Sequence, residues 1–148
     1  MLKAWCMILT AGKDWNGVPV DDIQQHVADL AAYVQKMEME YNHSRPYKKK
    51  IFPDVPGAEG GDSYRFYLAL KNACEGRKFL MTDNGYLGLG PAAMLEDDIV
   101  CLLCGSVMSF VLRPIDKGYE VIGEAYVYGI MFEEASSSEI ALEQFAMI

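Results

Sequence analysis

The spacing of apolar residues changes from a helical period to a strand period near Glu75-Gly76, and this change divides the 148-residue chain into two halves. Before it, apolar residues recur every three or four positions; after it, they follow a period of two. Helices and strands are therefore segregated along the chain, which is typical of an α+β fold. We predict a single domain with a helical part at 1–75, an antiparallel sheet at 76–131 and a tail at 132–148.

The first half predicts three helices. The first is a short apolar stretch from Trp5 to Ala11. Asp21 and Asp22 cap a second helix of about 20 residues. Its apolar residues recur at alternating steps of four and three, which places them in one stripe facing a core: Ile23, Val27, Leu30, Val34, Met37 and Tyr41.

Local sequence signals predict where the third helix begins and ends. Residues 53–61 contain prolines and glycines that break the helical pattern, so they predict a loop. The helix then begins near Asp62 or Ser63 and runs to about Cys74. Gly76 ends it, because a glycine readily takes the left-handed conformation of a C-terminal cap.

The second half predicts short strands joined by tight turns. Asp83-Asn84-Gly85 and Asp116-Lys117-Gly118 are hairpin signals, and Gly123 permits a β-bulge. We expect an antiparallel meander that forms a small antiparallel β-barrel or a curled five- to six-stranded sheet, packed against the helices. The tail is a helix or a last strand. The predicted strands are 77–82, 86–90, 99–104, 108–114 and 119–131.

A glycine-rich stretch, NGYLGLGPAAM at 84–94, raises the question of phosphate binding. A dinucleotide fingerprint has its glycines in a different order and opens a helix, and a Walker loop ends in Gly-Lys-Ser/Thr. Neither pattern is present, and Asp97 and Asp98 would repel a phosphate. We therefore expect these glycines to permit close packing of strands.

Cysteines and histidines do not predict a metal site or a cofactor. Cys101 and Cys104 form a CxxC within an apolar strand, where positions i and i+3 point to opposite faces. We expect them to be free cysteines buried in the sheet, and we expect this strand to be covered on both faces. His26, beside the stripe of the second helix, is expected to be exposed or partly hydrogen-bonded.

Charge and hydropathy exclude several classes of function. The net charge is −8, which disfavours nucleic acid as a partner. No apolar run approaches the roughly 20 residues of a membrane span, and no clear signal peptide is present. We predict a cytoplasmic protein. A nucleic-acid-binding barrel would need the basic residues to gather on one face: Arg45, Lys48, Lys49, Lys50 and Arg65.

No catalytic constellation is recognisable, so we predict that the chain is not an enzyme. Asp97-Asp98 and Glu133-Glu134 read as solvated carboxylates, while Arg113 and Glu124 lie in neighbouring strands that would allow an ion pair. The alternative is a small-ligand-binding or enzymatic domain with a pocket near Arg113, Glu124 and Tyr126. Candidate binding residues are Tyr86, Arg113, Glu124, Tyr126 and Tyr128.

The order of four runs in the second half resembles a known family. These runs resemble the C-terminal region of fungal heterokaryon incompatibility (HET-domain) proteins, and AWCMILTAGKDW at 4–15 is similar to a tryptophan-bearing segment upstream in that family. The similarity is strongest over 76–131. The runs are GRKFLMTDNGYLGLGP, DDIVCLLCGS, FVLRP and YEVIGEAYVYGIM.

The resemblance implies an interaction module in fungal non-self recognition or in regulation of cell death, without catalytic residues. Its partner would be another protein or a HET domain, which has no counterpart in this sequence. The family usually has Gly-Asp at Asp97-Asp98, a histidine at Tyr128 and Asp-Gly-Glu at 132–134. These departures predict altered loops.

Overall fold

The computed structural model of the protein describes residues 2–48, 50, 57–131 and 143–148. They belong to two compact units, Met1–Glu75 and Gly76–Ile148.

The first unit contains the three predicted helices: α1 (Leu2–Leu9), α2 (Ile23–His43) and α3 (Ser63–Cys74). The carboxylate of Asp22 accepts the N–H of Gln25 at the start of α2. Asp62 does the same for two N–H groups of α3. Gly76 has a φ of 67°, as expected for a left-handed cap. Of the predicted loop at 53–61, residues 53–56 lie outside the described residues.

The core of the first unit forms where the three helices meet. Cys6 of α1, Leu30 of α2 and Phe66 of α3 are buried against one another, with half-buried apolar side chains around them. The predicted stripe of α2 contributes Val27, Leu30 and Val34 to this core. Its last member, Tyr41, is exposed, so the buried stripe ends before the helix does.

A buried ion pair joins α2 to α3. Asp29 is fully buried, and its two carboxylate oxygens accept hydrogen bonds from Nε and Nη2 of Arg65 at 3.0 and 2.7 Å. The same carboxylate accepts the backbone N–H of Asp62 at 2.7 Å. An aspartate without these partners would be costly to bury, so Arg65 and the N–H of Asp62 together stabilise the buried carboxylate of Asp29.

In the second unit the described residues form a five-stranded antiparallel sheet, open rather than closed into a barrel: β1 (Arg77–Met81), β2 (Leu87–Pro91), β3 (Ile99–Leu102), β4 (Ser109–Ile115) and β5 (Gly118–Val127). Both predicted hairpins are confirmed. The strand order is β1-β2-β5-β4-β3, so the prediction of a simple meander is wrong. The reason is the length of β5, which pairs with β4 over 118–125 and with β2 at Tyr126 and Val127.

The β3 strand lies at an edge of the sheet that the described residues form. All four residues of Ile99–Leu102 are half-buried, so the expectation of cover on both faces is wrong. Cys104 is exposed in the turn that follows. An apolar run alone does not distinguish a central strand from an edge strand, because the two differ only in long-range pairing.

Glycines shape the sheet at two places. Val111 pairs with Gly123 and Leu112 with Val121, so Ile122 is the extra residue of the predicted bulge. A Cβ on Gly88 would fall on the carbonyl oxygen of Tyr126 in β5. The expected close packing of strands is therefore confirmed at Gly88.

The described end of the tail pairs with β5. Tyr119 donates its N–H to the carbonyl of Ala146 at 2.9 Å, and Ile148 donates to the carbonyl of Tyr119 at 3.2 Å. The ring of Phe145 meets that of Tyr119 edge-on at 4.8 Å. These residues form a parallel bridge to β5; residues 132–142 lie outside the described residues.

Candidate functional site

A cleft of about 830 Å³ lies in the second unit between the two outer strands of the sheet. Residues 78–84, from β1 and its turn, bound one side, and Ile99 and Val100 of β3 bound the other. Val111 of β4 and Ile130 line the cleft between them. Because β1 and β3 are the two ends of the strand order, the cleft occupies the opening that a closed barrel would lack. We call it the edge cleft.

The loop at 92–98 forms a wall of the edge cleft, and an ion pair anchors it. Arg113 of β4 donates from Nε and Nη2 to the two carboxylate oxygens of Asp98, both at 2.9 Å. Its Nη2 also donates to the carbonyl of Ala93 at 2.9 Å. Asp98 in turn accepts the N–H of Leu95 at 2.8 Å. The hydrogen bond from Arg113 is the main reason why the pKa of Asp98 lies below its usual range.

A second cation holds the same loop from the opposite side. The ammonium of Lys78 in β1 donates to the carbonyl of Met94, and the Met94 side chain packs into the apolar core of the sheet. The loop is therefore fixed to β4 by Arg113 and to β1 by Lys78. This arrangement makes the wall of the cleft a defined surface.

The backbone of this loop contains one unusual conformation. Asp97 has a φ of 70°, in the left-handed region where glycine is the preferred residue. Asp97 is also the position where the resembling family usually has glycine. This loop was predicted to differ from that of the family. The difference is that Asp97 adopts a backbone conformation that glycine would adopt more easily.

The rim of the cleft combines exposed apolar side chains with carboxylates. Phe79, Met81 and Leu95 are 54%, 75% and 63% exposed. The carboxylates of Asp83, Glu96 and Asp97 are exposed along the same cleft. Such a rim suits a ligand with apolar and basic groups, whereas an anion would be repelled.

The predicted ion pair between Arg113 and Glu124 is wrong. Arg113 lies opposite Glu120, and Glu124 lies opposite Phe110, three positions away along β4. Because side chains alternate between faces along a strand, Arg113 and Glu124 leave the sheet on opposite sides. The alternative pocket near Arg113, Glu124 and Tyr126 therefore has no common surface on which to form.

The three candidate tyrosines occupy different environments. Tyr126 is buried and lies opposite Leu89 of β2. Tyr128 follows β5 and donates its N–H to the carbonyl of Leu87 at 3.0 Å. Tyr86, in the β1–β2 turn, is exposed and lines the edge cleft. Tyr86 is thus the candidate in direct contact with the cleft, while Arg113 shapes its wall through Asp98.

Asp98 is the residue of this site that the sequence interpretation missed, because it was read as a solvated carboxylate. Its side chain is only 5% exposed. The available signal was the resemblance itself: where the family usually has Gly-Asp, this chain departs at the glycine and keeps the aspartate.

A second polar cluster lies in the helical unit and is buried. The ring Nε2 of His26 lies 3.0 Å from the hydroxyl of Thr10, and the thiol of Cys6 donates to the carbonyl of His26 at 3.4 Å. Burial lowers the pKa of His26 and raises the pKa of Cys6 to about 12. The expected exposure of His26 is wrong because the residue is buried, whereas the expected partial hydrogen bonding is confirmed by the contact of one ring nitrogen with Thr10.

Two of the basic residues considered for nucleic-acid binding have other partners. The guanidinium of Arg65 is bonded to Asp29, and that of Arg45 stacks 3.8 Å above the ring of Tyr41. Lys49 lies outside the described residues. A basic surface built on Arg65 would therefore have to disrupt the ion pair between α2 and α3.

Together these features define an α+β protein with an open antiparallel sheet and an acidic, apolar cleft between its outer strands. Residues 22–147 match the Het-6 beta-barrel domain, and the chain belongs to this family. A curated relative, heterokaryon incompatibility protein 6, OR allele, of Neurospora crassa, is 36% identical over 77 residues. The match covers 49% of this chain and 11% of the relative, so the chain corresponds to a small part of that protein. No solved structure matches the chain. The resemblance to heterokaryon incompatibility proteins is thus confirmed.

Proposed function

We propose that the chain is a non-catalytic recognition region of a heterokaryon incompatibility-type protein, which acts in fungal non-self recognition and in regulation of the cell-death response. Membership of the Het-6 beta-barrel domain family supports the heterokaryon incompatibility context. The edge cleft, with exposed Phe79, Met81 and Leu95 on its rim, is the observation that supports a binding role. An exposed apolar patch with a polar rim is typical of an interaction site.

The chemistry of the cleft favours binding over catalysis. A carboxylate that acts as a general base usually needs a raised pKa, whereas the pKa of Asp98 is lowered by Arg113. The ammonium of Lys78 is engaged by the Met94 carbonyl. The polar cluster of Cys6, Thr10 and His26 belongs to the other unit and is buried. The environments of these side chains therefore favour a role in binding a protein partner, which is either a separate protein or a HET domain.

Within the described residues, no helix has both the length and the apolar character needed to cross a bilayer. We also propose a cytoplasmic location, as predicted from the sequence. All four cysteines lie in the described residues and none is disulfide-bonded, which suits a reducing compartment.

A genetic experiment tests the role in incompatibility. The gene is disrupted in the source fungus, and cell death is scored with a vital dye after fusion with an incompatible strain. We expect the fraction of dead fusion cells to change, and expression of the intact protein to restore it. Complementation with Asp116→Asn, an exposed change in the β4–β5 turn, should also restore it. Identical death in the disrupted and intact strains would refute the proposal.

A further inference from the structure

We propose that the edge cleft binds an extended peptide segment of a protein partner, rich in basic and apolar residues, which adds as a further strand to the edge of β1 that is unpaired among the described residues. This inference rests on the proposed function as a binding region.

The hydrogen-bond register identifies which backbone groups β1 offers. Ala92 donates to the carbonyl of Gly76, and Thr82 donates to the carbonyl of Tyr86. In an antiparallel pair, hydrogen-bonded positions alternate with positions that point the other way. The even-numbered residues of β1 therefore bond to β2, and the N–H and C=O groups of Arg77, Phe79 and Met81 point to the outer edge.

These outward groups have no backbone partner within the described part of the chain, since β1 pairs with β2 alone. Proteins usually protect such an edge with charges, proline or a bulge, because it accepts another strand readily. Arg77 and Lys78 protect only the beginning of β1. From Phe79 to Met81 the edge is apolar, and both of these side chains are more than half exposed. This is the arrangement by which an added strand gains main-chain hydrogen bonds and side-chain contacts together.

The dimensions of the cleft suit a peptide rather than a flat protein surface. Its volume of about 830 Å³ lies within the range of ordinary ligand pockets, roughly 300–1,000 Å³. Leu80, Val100, Val111 and Ile130 provide an apolar lining. Alternate side chains of an added strand would face this lining, so we expect apolar residues at every second position of the peptide.

The charge of the cleft selects the remaining residues of the peptide. Three exposed carboxylates line it, from Asp83, Glu96 and Asp97. The charge of Asp98 is balanced by Arg113, and the Lys78 ammonium, which contacts the neutral Met94 carbonyl, offsets one of the three carboxylates. The surplus is negative, so lysine or arginine in the partner would gain favourable interactions and an acidic peptide would be repelled.

Peptide selection on the full chain tests this proposal directly. Random peptides of about 10 residues, the upper length of ordinary strands, are displayed on phage and selected on the immobilised 148-residue protein. We expect the enriched peptides to contain lysine or arginine among alternating apolar residues, and to bind more weakly as salt increases. A failure to enrich binders, or a pool depleted of basic residues, would overturn the proposal.

A pair of substitutions at one position tests the mode of binding. Phe79→Pro removes an outward N–H without removing a bond to β2, and edge strands tolerate such a proline. Phe79→Val keeps the N–H and an apolar side chain. For a selected peptide we expect Phe79→Pro to weaken binding about tenfold or more, and Phe79→Val to change it by less than about threefold. Circular dichroism establishes that both variants are folded. Equal binding to both would contradict strand addition.

A second pair of variants tests the charge. Glu96→Gln with Asp97→Asn removes two carboxylates of the cleft and keeps side-chain size, and asparagine tolerates the backbone conformation at position 97. The matched control, Asp116→Asn with Glu143→Gln, removes two exposed carboxylates elsewhere in the same unit. We expect only the first pair to weaken peptide binding and reduce its salt dependence. Equal effects of the two pairs would mean that overall charge, rather than the cleft, attracts the peptide.

The size of the protein in solution distinguishes a peptide from a second copy of the chain. If light scattering shows a dimer that Phe79→Pro dissociates, the occupant is a second copy and the proposed partner is wrong. The genetic experiment remains independent of these results. Peptide binding with unaltered cell death would refute the incompatibility role alone, and altered death without peptide binding would refute the cleft proposal alone.

Discussion

Arg113 and Asp98 form a two-pronged ion pair that links β4 to the loop before β3, with both N–O distances at 2.9 Å. The Asp98 side chain is 5% exposed and that of Arg113 is 27% exposed, so the pair is partly shielded from water. Bidentate pairs of this kind are among the strongest hydrogen bonds in proteins. Since the same guanidinium also holds Ala93, one arginine determines the position of the cleft wall.

Asp98→Asn should destabilise the sheet unit. The substitution keeps the size of the side chain but removes the charge that Arg113 contacts, and leaves a cation with a weaker partner. We expect the midpoint of thermal unfolding to fall by about 5 °C, measured by circular dichroism. Glu120→Gln is the control, because Glu120 lies opposite Arg113 in the strand register while the guanidinium itself is bonded to Asp98. A similar fall in both variants would contradict a specific role for Asp98.

The same pair predicts a dependence of stability on acid. The pKa of Asp98 is lowered in the folded protein, whereas an aspartate in the unfolded chain has a pKa of about 3.9. The carboxylate therefore contributes stability above that pH, and the contribution is lost as the pH falls from there towards the lower folded value. Urea unfolding at several acidic pH values should show a smaller loss for Asp98→Asn than for the wild-type protein. Parallel curves would contradict the prediction.

Local signals were sufficient for the helices and hairpins. Asp22 and Asp62 cap their helices through hydrogen bonds spanning two or three residues, and both hairpin turns depend on adjacent residues. Such interactions are encoded within short segments, so composition and spacing reveal them. The bulge at Gly123 was predictable for the same reason.

Long-range partners were not predictable in this way. The edge position of β3 depends on β5 pairing with β2, and the partner of Arg113 lies in a loop rather than in the neighbouring strand. The residues around Asp29 in the sequence are those of an exposed helical position. In the structure Asp29 is buried, because Arg65 of α3 donates a hydrogen bond to its carboxylate. In each case the outcome depends on which distant groups meet, and a period of apolar residues contains no information about that.

Gly88→Ala should destabilise the protein far more than Gly90→Ala. A Cβ at Gly88 would strike the backbone carbonyl of Tyr126, which cannot move without separating β2 from β5. At Gly90 it would meet the sulfur of Met94 at 2.6 Å and a methyl of Leu80 at 3.0 Å, both at the ends of flexible side chains. We expect a loss of about 3 kcal/mol for Gly88→Ala and about 1 kcal/mol for Gly90→Ala. Urea unfolding measures both, and equal losses would contradict close strand packing at Gly88.

Asp97→Gly should stabilise the protein. The residue has a φ of 70°, a conformation that costs a residue with a side chain more than it costs glycine. The gain is limited by the greater freedom of glycine in the unfolded chain, so we expect about 0.5 kcal/mol. Asp116→Asn, a change of charge in another turn of the same unit, separates this effect from the loss of a carboxylate. A decrease in stability for Asp97→Gly would show that its side chain makes a compensating interaction.

The buried histidine should make the helical unit sensitive to mildly acidic pH. Burial lowers the pKa of His26 despite the opposing charges of Asp29 and Asp14, whereas a histidine in the unfolded chain has a pKa of about 6.5. Below pH 6.5 the unfolded state therefore binds a proton that the folded state does not. Stability should fall as the pH decreases from there to the folded pKa, by up to about 1.4 kcal/mol per pH unit.

His43, exposed at the end of α2, supplies the control: His43→Gln should retain this pH dependence and His26→Gln should lose it. Urea unfolding between pH 7.5 and about 5 measures the slopes, and an unchanged slope in His26→Gln would assign the effect to another group.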